Sequence, residues 1–151
     1  MTDMPISDFA DKINELMPLI MKEFGRRQTN ELYKGKISLP QFLLLDFLSS
    51  QDGAKMTDLA KFMEVSTPAV TGIVDRLVRD RYVVRAYDAR DRRIVKIKIT
   101  AKGVELVKRI HRQRRQRVVK IFGKISALER SEYLKILRHI HDILLAEKAV
   151  A

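Results

Sequence analysis

Residues 57–80 read TDLAKFMEVSTPAVTGIVDRLVRD, and the fold follows from them. Thr57 has a side chain suited to capping a short helix that carries Leu59, Ala60, Phe62 and Met63. Glu64-Val65-Ser66 breaks it. Ser66 or Thr67 then caps a second helix with Pro68 at or near its first position, where the missing amide is tolerated. That helix extends to about Asp80 and turns Val70, Ile73, Val74 and Leu77 inward. Two helices joined by a three- or four-residue turn, the first only about two turns long, form a helix-turn-helix.

Downstream the period changes from helix to strand. Tyr82-Val83-Val84-Arg85 is a short β run, and residues 94–99 alternate with Val95, Ile97 and Ile99 on one face and Lys96 and Lys98 on the other. The polar loop Asp88-Ala89-Arg90-Asp91-Arg92-Arg93 joins them, so the helix-turn-helix is followed by a β-hairpin wing. From Thr100, a cap, a long helix is predicted to about Lys124. Ser126-Ala127-Leu128-Glu129 has capping-box spacing and opens a last helix with Leu134, Leu137, Ile140 and Leu144 on one face. Upstream, Phe9, Ile13, Leu16, Ile20 and Phe24 mark a helix over 8–33 that Pro18 should kink. Lys34-Gly35-Lys36 ends it, and Ser38-Leu39-Pro40-Gln41 opens another, running through Leu48, before the turn Gln51-Asp52-Gly53.

The expected architecture is mainly α with a small β-hairpin wing. It is a single winged helix-turn-helix domain over 1–151, with a DNA-binding core at 38–103 and helical regions at 5–34 and 104–148. At 151 residues, 46% hydrophobic and 32% charged, the chain can bury one core. Without cysteine, disulfides, thiolate nucleophiles and cysteine-ligated metals are excluded. No stretch is apolar enough to span a membrane, and the N-terminus lacks the pattern of a secretory signal, so a cytoplasmic location is expected. Of the three histidines, His139 and His141 stand at i and i+2 and cannot share a helix face, leaving His111 alone. No nucleophile–base pairing, metal spacing or Gly-rich phosphate loop appears; no cofactor, metal site or catalysis is expected.

The formal charge is +11. Residues 1–54 carry 6 bases against 8 acids, whereas residues 55–103 carry 12 against 6 and residues 104–151 carry 12 against 5. Between Arg85 and Lys98 six bases face only Asp88 and Asp91. Such an excess points to a polyanion, double-stranded DNA first. The major groove, about 12 Å wide, admits one helix, and here the groove-facing turn would be Ser66, Thr67, Pro68, Ala69, Thr71 and Gly72. Gly72 either lets the backbone approach DNA or packs closely on a neighbouring helix. Arg76, one turn on, reaches a phosphate. Asp75 would be repelled by DNA and instead pairs with Arg85 or with a loop arginine, fixing wing against helix. Arg90, Arg92 and Arg93 can enter the minor groove or clamp the backbone. The polar run His111–Arg117 reads as a solvated helix or a partner for the acidic N-terminal helix, with an anion site as the other reading.

Residues 56–103 resemble the winged core of the MarR (multiple antibiotic resistance regulator) family of bacterial transcription factors. The resemblance is carried by Leu59-Ala60, Val74-Asp75-Arg76-Leu77, the loop 88–93 and Ile99-Thr100-Ala101-Lys102-Gly103, and extends to Leu39-Pro40-Gln41-Phe42 and the flanking helices. It implies a homodimer built by the terminal helices, usually a repressor, on a pseudo-palindromic operator. It makes Ser66, Thr71 and Arg76 DNA-contacting positions and gives the wing arginines minor-groove or backbone contacts. Two positions depart from the family: Gly72 stands where an arginine is common, and Arg81 where glycine is usual. Many relatives release DNA on binding a small aromatic or phenolic effector, for which Met21, Phe24, Tyr33 and His111 are the lining candidates. The competing reading is a basic winged-helix module that binds RNA or a protein partner.

Overall fold

The computed structural model describes residues 3–26 and 36–150. They form two compact units, residues 1–111 and 112–151. The first unit begins with α1 (Ile6–Arg26), which continues without a break through Pro18. The predicted extension to residue 33 lies outside the described residues. Phe9, Leu16 and Ile20 of its apolar stripe are exposed.

Helix α2 (Leu39–Ser49) opens on a reciprocal box: the Ser38 hydroxyl accepts from the Gln41 amide at 3.2 Å, and Gln41 Oε1 accepts from the Ser38 amide at 2.8 Å. It is apolar on several sides because it runs through the core, burying Phe42, Leu44, Leu45 and Leu48. Around it pack Leu59 and Ala60 of α3 (Met56–Met63), Val70, Val74 and Leu77 of α4 (Thr67–Arg79), and Leu106, Val107 and Ile110 of α5 (Ala101–Phe122). Burying each such leucine contributes about 1.5–3 kcal/mol, which makes α2 the post on which α3 and α4 are mounted.

The sheet has three strands, in the order β1-β3-β2: β1 (Ala54–Lys55), β2 (Val83–Tyr87) and β3 (Val95–Ile99), all antiparallel. β1 was not expected. Two residues cannot show alternation, and the strand exists only because Ala54 and Lys55 find Ile97 and Lys96 far along the chain. It also moves the cap of α3: the helix leaves the strand directly, Lys55 is the N-cap, and Thr57 lies inside the first turn. The alternation of β3 is only partly realised. Ile97 is buried, but Val95, opposite Tyr87 at the far end of the hairpin, is 42% exposed because the wing extends past the core.

Thr100 joins the segment that follows α4 to α5. Its hydroxyl lies 2.7 Å from the Arg81 carbonyl and 3.1 Å from the Tyr82 carbonyl, and accepts from the Gly103 amide at 3.1 Å. A Cβ on Gly103 would sit 2.4 Å from the Tyr82 carbonyl oxygen and 2.7 Å from Ile99 Cγ1, so only glycine lets α5 start this close to the strand ends.

The second unit is the end of α5 and α6 (Ala127–Val150). Ser126 and Glu129 cap α6 reciprocally, at 2.7 Å and 3.1 Å, and the Ser126 amide and hydroxyl hold the Glu129 carboxyl below the usual carboxylate range. Arg130 donates to the carbonyls of Phe122 and Ile125, while Phe122 stacks on Tyr133. α6 buries none of its residues in the single chain: Leu134, Leu137, Ile140 and Leu144 are 42% to 58% exposed.

Candidate nucleic-acid interface

Ser66, not Thr67, caps α4, its hydroxyl accepting from the Ala69 amide at 3.3 Å. Pro68 falls in the first turn, where its ring fits and no amide is missed. With Val70, Val74 and Leu77 turned into the core, the opposite face is left to Ser66, Thr67, Pro68, Ala69, Gly72 and Arg76, all exposed. Thr71 is half-buried, and its hydroxyl donates to the Thr67 carbonyl at 2.8 Å, which leaves its lone pairs free to accept.

Gly72 meets open space. Among the described residues nothing beyond the adjoining backbone of α4 itself lies within 4 Å of the position its Cβ would take, so no described neighbouring helix packs closely on it. Glycine at this place in the helix costs about 1 kcal/mol against alanine.

Beside this face stands the wing. Its turn is built from two Asp-x-Arg steps, each closed by an aspartate side chain accepting from the amide two residues on: Asp88 from Arg90 at 2.7 Å and Asp91 from Arg93 at 3.0 Å. Asp88 is also tied to Lys96 at 3.1 Å, and the Arg93 guanidinium forks onto Asp91 with two contacts of 3.1 Å. The Arg90 amide, then the Lys96 side chain, hold the Asp88 carboxyl below its ordinary range; the Arg93 side chain and amide do the same for Asp91. Arg90 and Arg92 are exposed at the tip, whereas Arg93 is partly committed to Asp91. The two aspartates thus order the turn that carries the wing arginines, a role the sequence alone does not assign to them. The repeated spacing Asp88-x-Arg90 and Asp91-x-Arg93 was the available signal.

Wing and recognition helix are tied together by Arg85, whose guanidinium donates to the Asp75 carboxylate. Of the two kinds of partner open to Asp75, the strand arginine is the one it meets. Arg81 leaves α4 with φ at +64°, the left-handed conformation. Its amide donates to the Val78 carbonyl at 3.0 Å and the Tyr82 amide to the Leu77 carbonyl at 2.9 Å, the hydrogen-bond pattern of a helix end that favours glycine.

The effector candidates are not assembled in the same way. Met21 is 67% exposed, Phe24 is half-buried, and Tyr33 lies outside the described residues. His111 Nε2 is 2.7 Å from Asp46 Oδ1, with its ring edge-on to Phe42, so it braces α5 against α2. Among the described residues no cluster of ligating side chains could hold a metal ion, and no helix is long and apolar enough to cross a membrane.

Three comparisons bear on this geometry. The MarR family model matches residues 37–95, the segment from the entry of α2 to the start of β3. The uncharacterized HTH-type transcriptional regulator YpoP of Bacillus subtilis is 31% identical over 124 residues, covering 81% of this chain and 88% of that protein. Among solved structures, YusO of Bacillus subtilis superposes with a TM-score of 0.77 at 18% identity, over 92% of this chain and 99% of the other. Staphylococcus aureus MepR, solved as a complex with DNA, superposes with a TM-score of 0.63 at 24% identity, over 85% and 96%.

Proposed function

The chain belongs to the MarR family of transcription regulators, and from that premise we propose that it is a sequence-specific double-stranded DNA-binding repressor acting as a homodimer on a pseudo-palindromic operator. The carrying observation is the α4 face from Ser66 to Arg76: hydroxyls at its start, nothing over Gly72, and an arginine-tipped wing fixed beside it through Asp75 and Arg85. A helix presented in this way fits the major groove with its first turn towards base edges, while Arg90, Arg92 and Arg93 reach the adjacent backbone or minor groove. Ser66 and Thr71 would read or position, Thr67, Pro68 and Ala69 would pack on the groove, and Arg76 would hold a phosphate.

The dimer is supported by α6, a 24-residue helix none of whose apolar residues is buried among the described residues. Such a face on a soluble helix calls for a partner, and a second copy would set two recognition helices about 34–36 Å apart. An aromatic or phenolic effector would act by favouring a spacing that cannot span successive grooves. Met21, Phe24, Tyr33 and His111 remain the candidates for its site.

Selection of bound fragments from random duplex DNA tests the reading. The expected product is a two-fold symmetric site with half-sites about ten base pairs apart. If six to ten phosphates are neutralised, affinity falls by about three to five decades between 50 and 200 mM salt. No enriched duplex, or preferential retention of structured RNA, would overturn it in favour of an RNA-binding winged helix.

A further inference from the structure

At the C-terminal end of α4, away from the groove-facing turn, Lys36, Arg79, Asp80, Arg81, Tyr82 and Lys102 line a cleft of about 520 Å³. Four of these six side chains are cationic and one is acidic. Because α4 has 13 residues and rises about 1.5 Å per residue, the cleft lies about 20 Å along the helix from Ser66. It is therefore a basic site away from the groove-facing first turn, beginning about one helical turn beyond Arg76.

The arginine at its centre stands against backbone preference. Left-handed φ costs a residue with a Cβ about 1–2 kcal/mol that glycine does not incur. Arg81 cannot relax out of it: its amide is held by Val78, its carbonyl by the Thr100 hydroxyl, and the following amide by Leu77. The strained backbone is fixed from both sides, and it sets a guanidinium at the cleft where glycine would offer none. Nor is the charge spent internally, since Arg81 and Lys36 form no ion pair among the described residues, and Arg79 reaches Asp80 only at 4.0 Å. The negative end of α4 would oppose an anion here, but its carbonyls are already covered. Lys102 donates to the Asp80 carbonyl at 2.9 Å while lying over the Tyr82 ring, and Thr100 covers Arg81. The Lys102 ammonium has three donors, so some remain for a ligand.

We propose that this cleft binds a small, multiply charged oxyanion of the phosphate class, held by the Arg81 fork and by Lys36, Arg79 and Lys102. A guanidinium matches two phosphate oxygens at once. The proposal is independent of the DNA reading.

The test titrates inorganic pyrophosphate into the DNA-free protein at low salt and follows amide resonances. The expected result is saturable movement centred on Arg81, Tyr82 and Lys102, with at least tenfold weaker binding in Arg81→Gly and in Lys102→Ala and none of that loss in the wing variant Arg90→Ala. Arg81→Gly suits the purpose because it preserves the left-handed turn, so loss of binding is not loss of fold. Shifts spread evenly over the basic surface, or equal binding by wild type and Arg81→Gly, would overturn the proposal. A second arm separates the sources of phosphate. If Arg81→Gly lowers operator affinity and its salt slope by about one unit while pyrophosphate leaves the cleft unmoved, the cleft serves the DNA backbone and the free anion is excluded.

Discussion

Two glycines with opposite surroundings make opposite predictions. Gly72 faces open space in the middle of a helix, so Gly72→Ala should stabilise the free protein by about 1 kcal/mol, seen as a rise in Tm. The same methyl group would stand between helix and groove, and operator affinity should fall about tenfold. A stabilised variant with undiminished affinity would show that the backbone does not approach DNA there. Gly103→Ala drives a carbon into the Tyr82 carbonyl and should cost about 1–3 kcal/mol in denaturant unfolding. From sequence, Gly72 was legible as an anomaly with two explanations, because a residue's helical position says nothing about what lies opposite it. Gly103 was visible only as part of a motif, since the carbonyl that forbids a side chain belongs to a residue 21 positions earlier. Arg81 was legible as a departure; its positive φ was not.

Among the elements, the wing is held by two kinds of contact with different consequences. The Asp75–Arg85 pair is half exposed, and exposed pairs contribute about 0–1 kcal/mol, so Asp75→Ala should barely change Tm. Removing a negative charge near DNA would by itself raise affinity. If the pair sets the angle of the wing, operator affinity falls instead, and a rise would reduce Asp75 to a local charge. The turn is held by Asp88 and Asp91, whose carboxyls lie below the ordinary value of 3.8. Their folded pKa is depressed, so the stability they lend is complete above the unfolded value of about 3.9 and is lost as pH falls through the folded one. Carboxyl ¹³C titration should give both midpoints below 3.8, with the Arg90 and Arg93 amides shifting in step. The helices were readable because their signals are local: Ser38 with Gln41, and Ser126 with Glu129, are boxes three residues long. β1 was not, because its only evidence is a partner strand some forty residues away.

For the molecule as a whole, the exposed apolar face of α6 matters most. Leu137→Glu combined with Ile140→Glu should convert a species of about twice the 17.5 kDa chain mass into a monomer by sedimentation equilibrium. Winged cores that can no longer engage two half-sites together should lose at least a hundredfold in operator affinity. A variant that stays dimeric would move the interface elsewhere. The stripe on α6 was legible from its spacing alone, but spacing names a face and not its occupant. That is why the winged core, whose partners lie within the chain, was read more fully than the helices outside it.

The Thr100 hydroxyl lies within hydrogen-bonding distance of the Arg81 and Tyr82 carbonyls, just past α4, and accepts from the Gly103 amide in the first turn of α5. No slack remains at that knot. A displacement of α4 therefore carries the opening turn of α5 with it as one piece.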